Sequence, residues 1–495
     1  MLKRKILGSE VEYGIATKDM ENLDQVSNST SLINNYPYLP SAAILWDYEG
    51  ENPFVDARGF EVQGEKERPT PDYNRAINKL LANGGRLYVD GAHPEYSTPE
   101  CSNARDVVLY EKAGDRIVDI CRKIANQFRS ERDKFIIYKN NTDGKGNSYG
   151  YHENYLVKRI IPFGKLMEQL VPFFVTRQIY AGAGKVSYSN KECPYQISQR
   201  ADFFEVLVDL NTMVKRPIMN TRDEPHADPE KYRRLHVIVG DSNMSEFTSF
   251  LKIGTTDIVL SMIEDGIFLK GLELETPVRA MKDISRDTSL KKRIKLSDGR
   301  KLTAIEIQRE YLEKAVKYAA SIGSEDVSDV TLDVLKKWEY VLERLEKEPM
   351  ELSREIDWII KRDLLLSYIE KKGCNWSNPD VSMINLQYHD IRLDKGLYYT
   401  LERNGRVERI IEDEDIEEAR DIPPSDTRAY FRGICLKKFP KDVYAASWSS
   451  LLFDIGNTTL KKIPLLEPLR GTKELTKKIL QESDSIEELL SRITT

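Results

Sequence analysis

No stretch of this 495-residue chain comes near the about 20 consecutive apolar residues that a membrane-crossing helix requires. Its basic start gives way to Glu10 before an export signal could form. Export and insertion are therefore not expected, and a cytoplasmic location is. Cysteine is scarce: five residues, an odd number, with no CxxC pair, which excludes a disulfide scaffold and reads as reduced, structural thiols. Positive charge is not in excess. With 74 Lys+Arg against 80 Asp+Glu and a net charge of −6, no overall cationic field would draw in nucleic acid or a lipid surface. The common phosphate-binding signatures are missing too. Gly144-Lys145, Gly164-Lys165 and Gly184-Lys185 are followed by Gly, Leu and Val, so none completes GxxxxGK[ST], and Gly182-Ala183-Gly184 does not complete a dinucleotide fingerprint. Any nucleotide is held outside those two schemes.

What the chain does contain is a set of alternating segments. In the first, Leu7, Val11, Tyr13 and Ile15 fall on one side and Gly8, Glu10, Glu12 and Gly14 on the other, the pattern of a strand with an apolar back and an acidic front. The same rule puts Arg86, Tyr88 and Asp90 on one polar face, and Arg234 and His236 opposite Leu235, Val237 and Val239. Helical stripes separate them: Tyr110, Ala113, Ile117, Ile120, Ile124 and Phe128 behind a Ser102 or Asn103 cap, and Leu332, Leu335, Trp338, Leu342 and Leu345. Without a regular βαβ rhythm, the expectation is an α+β fold with helices on one face of a sheet and the other face free for a ligand. Residues 21 to about 72 read as a long inserted loop with an apolar, aromatic centre at Ile44 to Tyr48. A break at Ile422-Pro423-Pro424-Ser425-Asp426 divides a large unit, 1–424, from a small C-terminal one, 425–495.

Each of the five histidines has acidic or phosphate-friendly neighbours, as in His152-Glu153-Asn154 and Arg234-Leu235-His236; His226 and His389 fit a plain core or surface role equally well. Glu10 and Glu12, at i and i+2 on one strand face, would repel each other if left alone. A divalent cation resolves the repulsion, and an oxygen-rich set with one or two imidazoles suits Mg²⁺ or Mn²⁺ better than Zn²⁺. A plain solvated strand face is the alternative. The polar, Gly-punctuated run from Asn140 to Gly150 is a weak phosphate-loop signal.

Taken together, Gly8-Ser9-Glu10-Val11-Glu12-Tyr13-Gly14, Arg86 to Cys101, Lys139 to Tyr155, Ser198-Gln199-Arg200, Asn220 to Glu246, Leu386-Gln387-Tyr388-His389-Asp390 and Ala445-Ala446-Ser447-Trp448 resemble, in one order and over nearly the whole chain, the family of the Pup ligase and the Pup deamidase/depupylase. That resemblance implies a glutamine synthetase-like, carboxylate-amine ligase fold: a curved antiparallel sheet with helices on one face, plus a small C-terminal domain. The 72 residues between Tyr13 and Arg86, with Trp46-Asp47-Tyr48-Glu49 and Asp56-Ala57-Arg58-Gly59-Phe60, and the short spacing in Asp90-Gly91-Ala92-His93-Pro94, look like the depupylase branch. Two positions depart from its usual pattern: Gly91 stands where His is common, and Ser9 where Thr is.

The implied activity is ATP- and Mg²⁺-dependent removal of the ubiquitin-like protein Pup from substrate lysines, with deamidation of a Pup that ends in Gln. The implied metal residues are Glu10, Tyr88, Glu95, His152 and His236, to which the strand argument adds Glu12. Gly8, Ser9, Glu10, Thr98, Asn154 and Arg234 are implied at the nucleotide, Arg86 at a phosphate, and Trp448 as an aromatic that closes the site. Asp90 matches the family's essential aspartate and is expected to act as nucleophile or base. Partners would be Pup, disordered and acidic, and pupylated proteins, with Lys215, Arg216, Arg233 and Arg234 as a cationic edge. A Pup–protein ligase and a catalytically quiet Pup-binding regulator are the rival readings. Removing residues about 40 to 68 is expected to alter turnover more than nucleotide affinity.

Overall fold

The computed structural model describes residues 5–18, 24–64, 68–144, 146–187, 193–212, 214–323, 326–456 and 460–494. Six strands build its central sheet: β1 (Leu7–Glu12), β2 (Asn78–Leu80), β3 (Arg86–Asp90), β4 (His93–Ser97), β5 (Tyr151–Lys158) and β6 (Tyr232–Val237). They lie in the order β6–β5–β1–β4–β3–β2, and every neighbouring pair is antiparallel. Because side chains alternate, this register decides which residues share a face. Leu7, Ser9 and Val11 are buried behind the sheet, while Gly8, Glu10 and Glu12 are half-buried in front.

The back is covered by the helices Ala104–Asn126, Phe163–Ala181 and Glu246–Glu264, which enter one large core with Leu7, Tyr155, Leu235 and Val237. Polar groups caught in that layer are paired, as burial demands. Ser9 and Tyr151 donate to Glu111, Tyr13 donates to Asp115, and Arg177 forks onto Glu153. The charged block after residue 300 forms the helices Ala304–Ile322, Asp329–Lys347 and Asp357–Lys372.

Three sequence expectations change. Asn103, not Ser102, caps the first long helix, and that helix stops at Asn126, whose side chain bonds the backbone of Phe135 in both directions. Phe128, placed on the stripe by spacing, therefore lies past the helix end and is 84% exposed. Leu332 sits in the first turn of its helix and is exposed, the buried stripe starting at Val334 and Leu335. The inserted segment is not one loop. Residues 21–23 and 65–67 lie outside the described residues, but Gln25–Ile33 is a helix that sends Leu32 and Ile33 into the core. Leu45–Trp46 is a strand that pairs in parallel with Val443–Ala446, completing a four-stranded sheet with Ser450–Phe453 and Lys461–Pro464. Ile44, Trp46 and Leu80 share a hydrophobic cluster with residues between Tyr430 and Leu489. The apolar centre of the insertion thus packs with the C-terminal segment. Spacing within one stretch of chain carries no sign of such a contact.

Candidate active site

The front of the sheet gathers side chains from five strands. Glu10 stands opposite His152 on one side and Ser97 on the other; Glu12 stands opposite Glu95, Glu95 opposite Tyr88, and Asp90 opposite His93. Asp90 and His93 flank a two-residue turn in which Gly91 takes φ of 54°, a conformation glycine adopts without steric cost. A side chain at position 150 would crowd the site. A Cβ there would come within 2.3 Å of Glu12 Oε1 and 2.5 Å of His152 Nε2.

Two groups of ligand atoms result. Glu10, His152 and His236 bring one atom each to within 4.8 Å of one another, and so do Glu12, Asp90 and Glu95. His152 links them, its Nδ1 lying 3.0 Å from Glu10 and its Nε2 4.0 Å from Glu12. Burial alone would raise the Glu10 carboxyl, but the His152 hydrogen bond and the charges of His236, His152 and Arg234 together hold it well below the usual range. His236 is pushed well below its ordinary value by burial and then by Arg234, so it is neutral with a lone pair to offer.

Glu95 is the informative residue. It is 1% exposed, and neither carboxylate oxygen has a hydrogen-bond partner among the described residues. Burial, then the charges of Asp90, Glu10 and Glu12, push its pKa well above the usual carboxylate range. Such a group is costly unless something positive meets it, and this oxygen-rich set with two imidazoles fits hard divalent cations. Tyr88 lies beside Glu95, its phenol also raised by burial and by Glu95.

Next to these groups, at the Gly8 end of the face, a cleft is lined by Gly8, Ser9, Glu10, Thr98, Asn154, Arg234 and Trp448, all of them expected at a nucleotide. Ser9 contributes backbone only: its N–H donates to Thr98 and its hydroxyl lies behind the sheet on Glu111. Arg234 donates to Asn154 Oδ1, and Asn154 donates to Glu10, so cleft and acidic groups share one hydrogen-bonded chain. Arg86 stands next to the cleft with its guanidinium on the Tyr88 ring. Sequence reasoning missed Arg428 and Glu100 on the cleft wall, and left His226 undecided; all three line it. Burial, then Arg234 and Arg428, push His226 well below its usual range. Only the fold brings Arg428 next to Gly8, so no local pattern announces it.

Of the four cations expected to edge a partner groove, Arg234 is in the cleft and Arg216 donates to the Ser148 carbonyl. Lys215 is exposed at a left-handed turn, and Arg233 turns to the other side, against Phe163 and Asp223. In the Asn140 to Gly150 run, Lys145 lies outside the described residues, and Asn140 and Asn141 are spent on Thr142, Tyr149 and Ser242.

A family profile described as Pup-ligase protein matches residues 5–452. The chain belongs to the Pup ligase family. Within it, the chain is 48% identical over 500 residues to a protein named depupylase from Acidothermus cellulolyticus, covering 99% of each. It is 44% identical over 502 residues to the Pup deamidase/depupylase of Mycolicibacterium smegmatis, covering 99% of this chain and all of that one. A Pup–protein ligase from Kineococcus radiotolerans is 45% identical over 371 residues, 74% of this chain and 82% of its own. The fold is that of the family: the ligase PafA in complex with Pup superposes with a TM-score of 0.81 at 33% identity, covering 99% of this chain and 94% of that one. PafA bound to ADP gives 0.75 at 35% identity, with 86% and 96% covered.

Proposed function

We propose that this chain hydrolyses the amide bond joining Pup to lysine side chains, and deamidates a Pup that ends in glutamine, with ATP and Mg²⁺, or Mn²⁺ in its place, as cofactors. The observation that carries the reading is the orphaned Glu95 carboxylate, grouped with Glu12 and Asp90 beside the cleft that Glu10, Thr98, Asn154 and Arg234 line. The names of the relatives supply the substrate. Those called depupylase align over 99% of this chain, insertion included, and the ligase from Kineococcus over 74%.

Glu10, His152 and His236 would hold one cation and Glu12 and Glu95, next to Tyr88, another. Gly8, Thr98, Asn154, Arg234 and Trp448 would hold the nucleotide, as the complex of PafA with ADP suggests, and Arg86 a phosphate. Bound cations and phosphate supply Lewis acidity and fixed charge where an oxyanion develops, a contribution of several kcal/mol in many enzymes. Amide hydrolysis in water is downhill, so in this reading the nucleotide is part of the site and not fuel.

Asp90, exposed on the rim of this face, serves as nucleophile or as base toward water at the side-chain carbonyl of the last Pup residue. Glu12 and Glu95 each bring a carboxylate oxygen to within 4.8 Å of one of Asp90's own, so a cation held there would act directly on its surroundings. Lys215 and Arg216 remain the cationic edge proposed for an acidic partner. A cytoplasmic setting fits the free cysteines; among the described residues no helix is long and apolar enough to cross a membrane.

The test is incubation of the full chain with a Pup–lysine conjugate, ATP and Mg²⁺, followed by mass spectrometry, with Pup-Gln and Pup-Glu in parallel. Release of Pup and conversion of Gln to Glu are expected. Attachment of Pup to lysines instead would make the chain a ligase, and Pup binding without turnover a regulator.

A further inference from the structure

We infer that Trp46, from the inserted segment, is a positioning residue for Arg86, and that the insertion is thereby a wall of the phosphate subsite. The inference rests on the reading of Arg86 as a phosphate-facing residue.

The Arg86 guanidinium is held on three sides. Two rings lie against it: Tyr88, from its own strand, and Trp46, each with the ring centroid 4.0 Å from Cζ. One edge is tied down, Nε and a terminal nitrogen donating to Asn78 Oδ1 at 3.0 and 2.5 Å, with the Tyr48 hydroxyl 3.4 Å from the same nitrogen. The remaining nitrogen, Nη1, stands 3.9 Å from a Glu51 carboxylate oxygen, beyond hydrogen-bond length. That leaves one edge of the fork able to donate to an incoming anion, and a planar cation packed against two rings and tied along another edge has its direction set before the anion arrives.

Three of the clamping groups, Trp46, Tyr48 and Glu51, belong to the insertion. Trp46 is itself fixed. Its backbone exchanges two hydrogen bonds with the Asn74 side chain, its indole N–H donates to Glu51 at 2.7 Å, and its ring meets Trp448 edge-on at 5.3 Å. The strand pairing of Leu45–Trp46 with Val443–Ala446 holds the assembly to the C-terminal sheet. A cover over a cleft would touch it from outside, whereas Trp46 is 3% exposed and in contact with the residue the phosphate is to meet. Removing residues about 40 to 68 is therefore expected to lower nucleotide affinity along with turnover, contrary to the expectation from sequence.

A double-mutant cycle read by calorimetry of ADP binding to the full chain tests this. Trp46→Leu should weaken ADP about tenfold and Trp46→Phe should restore most of the loss, while in an Arg86→Ala background Trp46→Leu should change affinity by less than about twofold. Tyr48→Phe, which deletes one hydroxyl and no packed ring, should cost about threefold, again only with Arg86 present, so the question survives if Trp46→Leu fails to fold. Equal losses in both backgrounds, or no loss from either insertion variant while Arg86→Ala weakens ADP, would overturn the inference. An Arg86→Ala variant that binds ADP normally would instead strike the phosphate reading beneath it.

Discussion

Glu100 joins the C-terminal segment to the sheet, and replacing it with Gln should loosen that joint and the cleft together. Its carboxylate accepts from Arg428 Nε at 2.7 Å and from two nitrogens of Arg432 at 3.1 and 2.5 Å, and all three residues are buried. Burial would raise the acid, but the charges of Arg432 and Arg428 outweigh it and bring it down to about 2 from 4.5. At about 1.4 kcal/mol per unit, that depression corresponds to about 3–4 kcal/mol, in line with the cost of leaving buried cations without their partner. Arg432 also donates to the Gly84 and Trp448 carbonyls, so its release would disturb the ring at the cleft mouth. Hydrogen exchange at residues 429–453 is the assay: Glu100→Gln should lower protection there about a hundredfold and weaken ADP binding in step. The sign with pH follows from the lowered pKa. The contribution is complete above about 4.5 and fades as pH falls toward 2, so the gap between wild type and variant should narrow on acidification. Unchanged protection, or a gap that widens in acid, would refute the reasoning.

Asp90→Asn should fold and bind ADP normally yet lose Pup release by about 10²- to 10⁴-fold in single-turnover assays; near-normal turnover would remove Asp90 from the reaction. Chelation should lower the melting temperature, and added Mg²⁺ should restore it. Metal-free Glu95→Gln should melt no lower than wild type, because an amide relieves the crowding with Asp90, Glu10 and Glu12, but Mg²⁺ should no longer stabilise it. A normal Mg²⁺ shift in that variant would count against Glu95 as a ligand. Trp448→Ala should weaken ADP about tenfold and Trp448→Phe much less, as titration will show; equal effects would make the ring a packing element only.

The strand faces were legible because alternation is a local property. Glu10 and Glu12 on β1, Tyr88 and Asp90 on β3, and His236 with Arg234 on β6 each follow from period two, and the antiparallel register then sets them side by side. Family resemblance reached further, to Thr98, Asn154 and Trp448, which no periodicity singles out. Phe128 went astray because spacing cannot say where a helix stops; the Asn126 side chain, bonded to Phe135, decides that. The insertion went astray for a related reason. Its composition reads as loop, and the partner that makes Leu45–Trp46 a strand is some 400 residues away in the chain.

By itself, then, the order of residues determined the two-sided strands, the buried helical stripes and the kinds of donor the front face would carry, since each depends on neighbours a few positions apart. Only tertiary structure decided how those donors divide into two groups, that Glu95 would be buried with both oxygens unmet, and that Arg428, Glu100 and Trp46 would stand at the cleft or at Arg86. Distances between strands and burial by distant segments arise when the chain packs, and no local pattern encodes them.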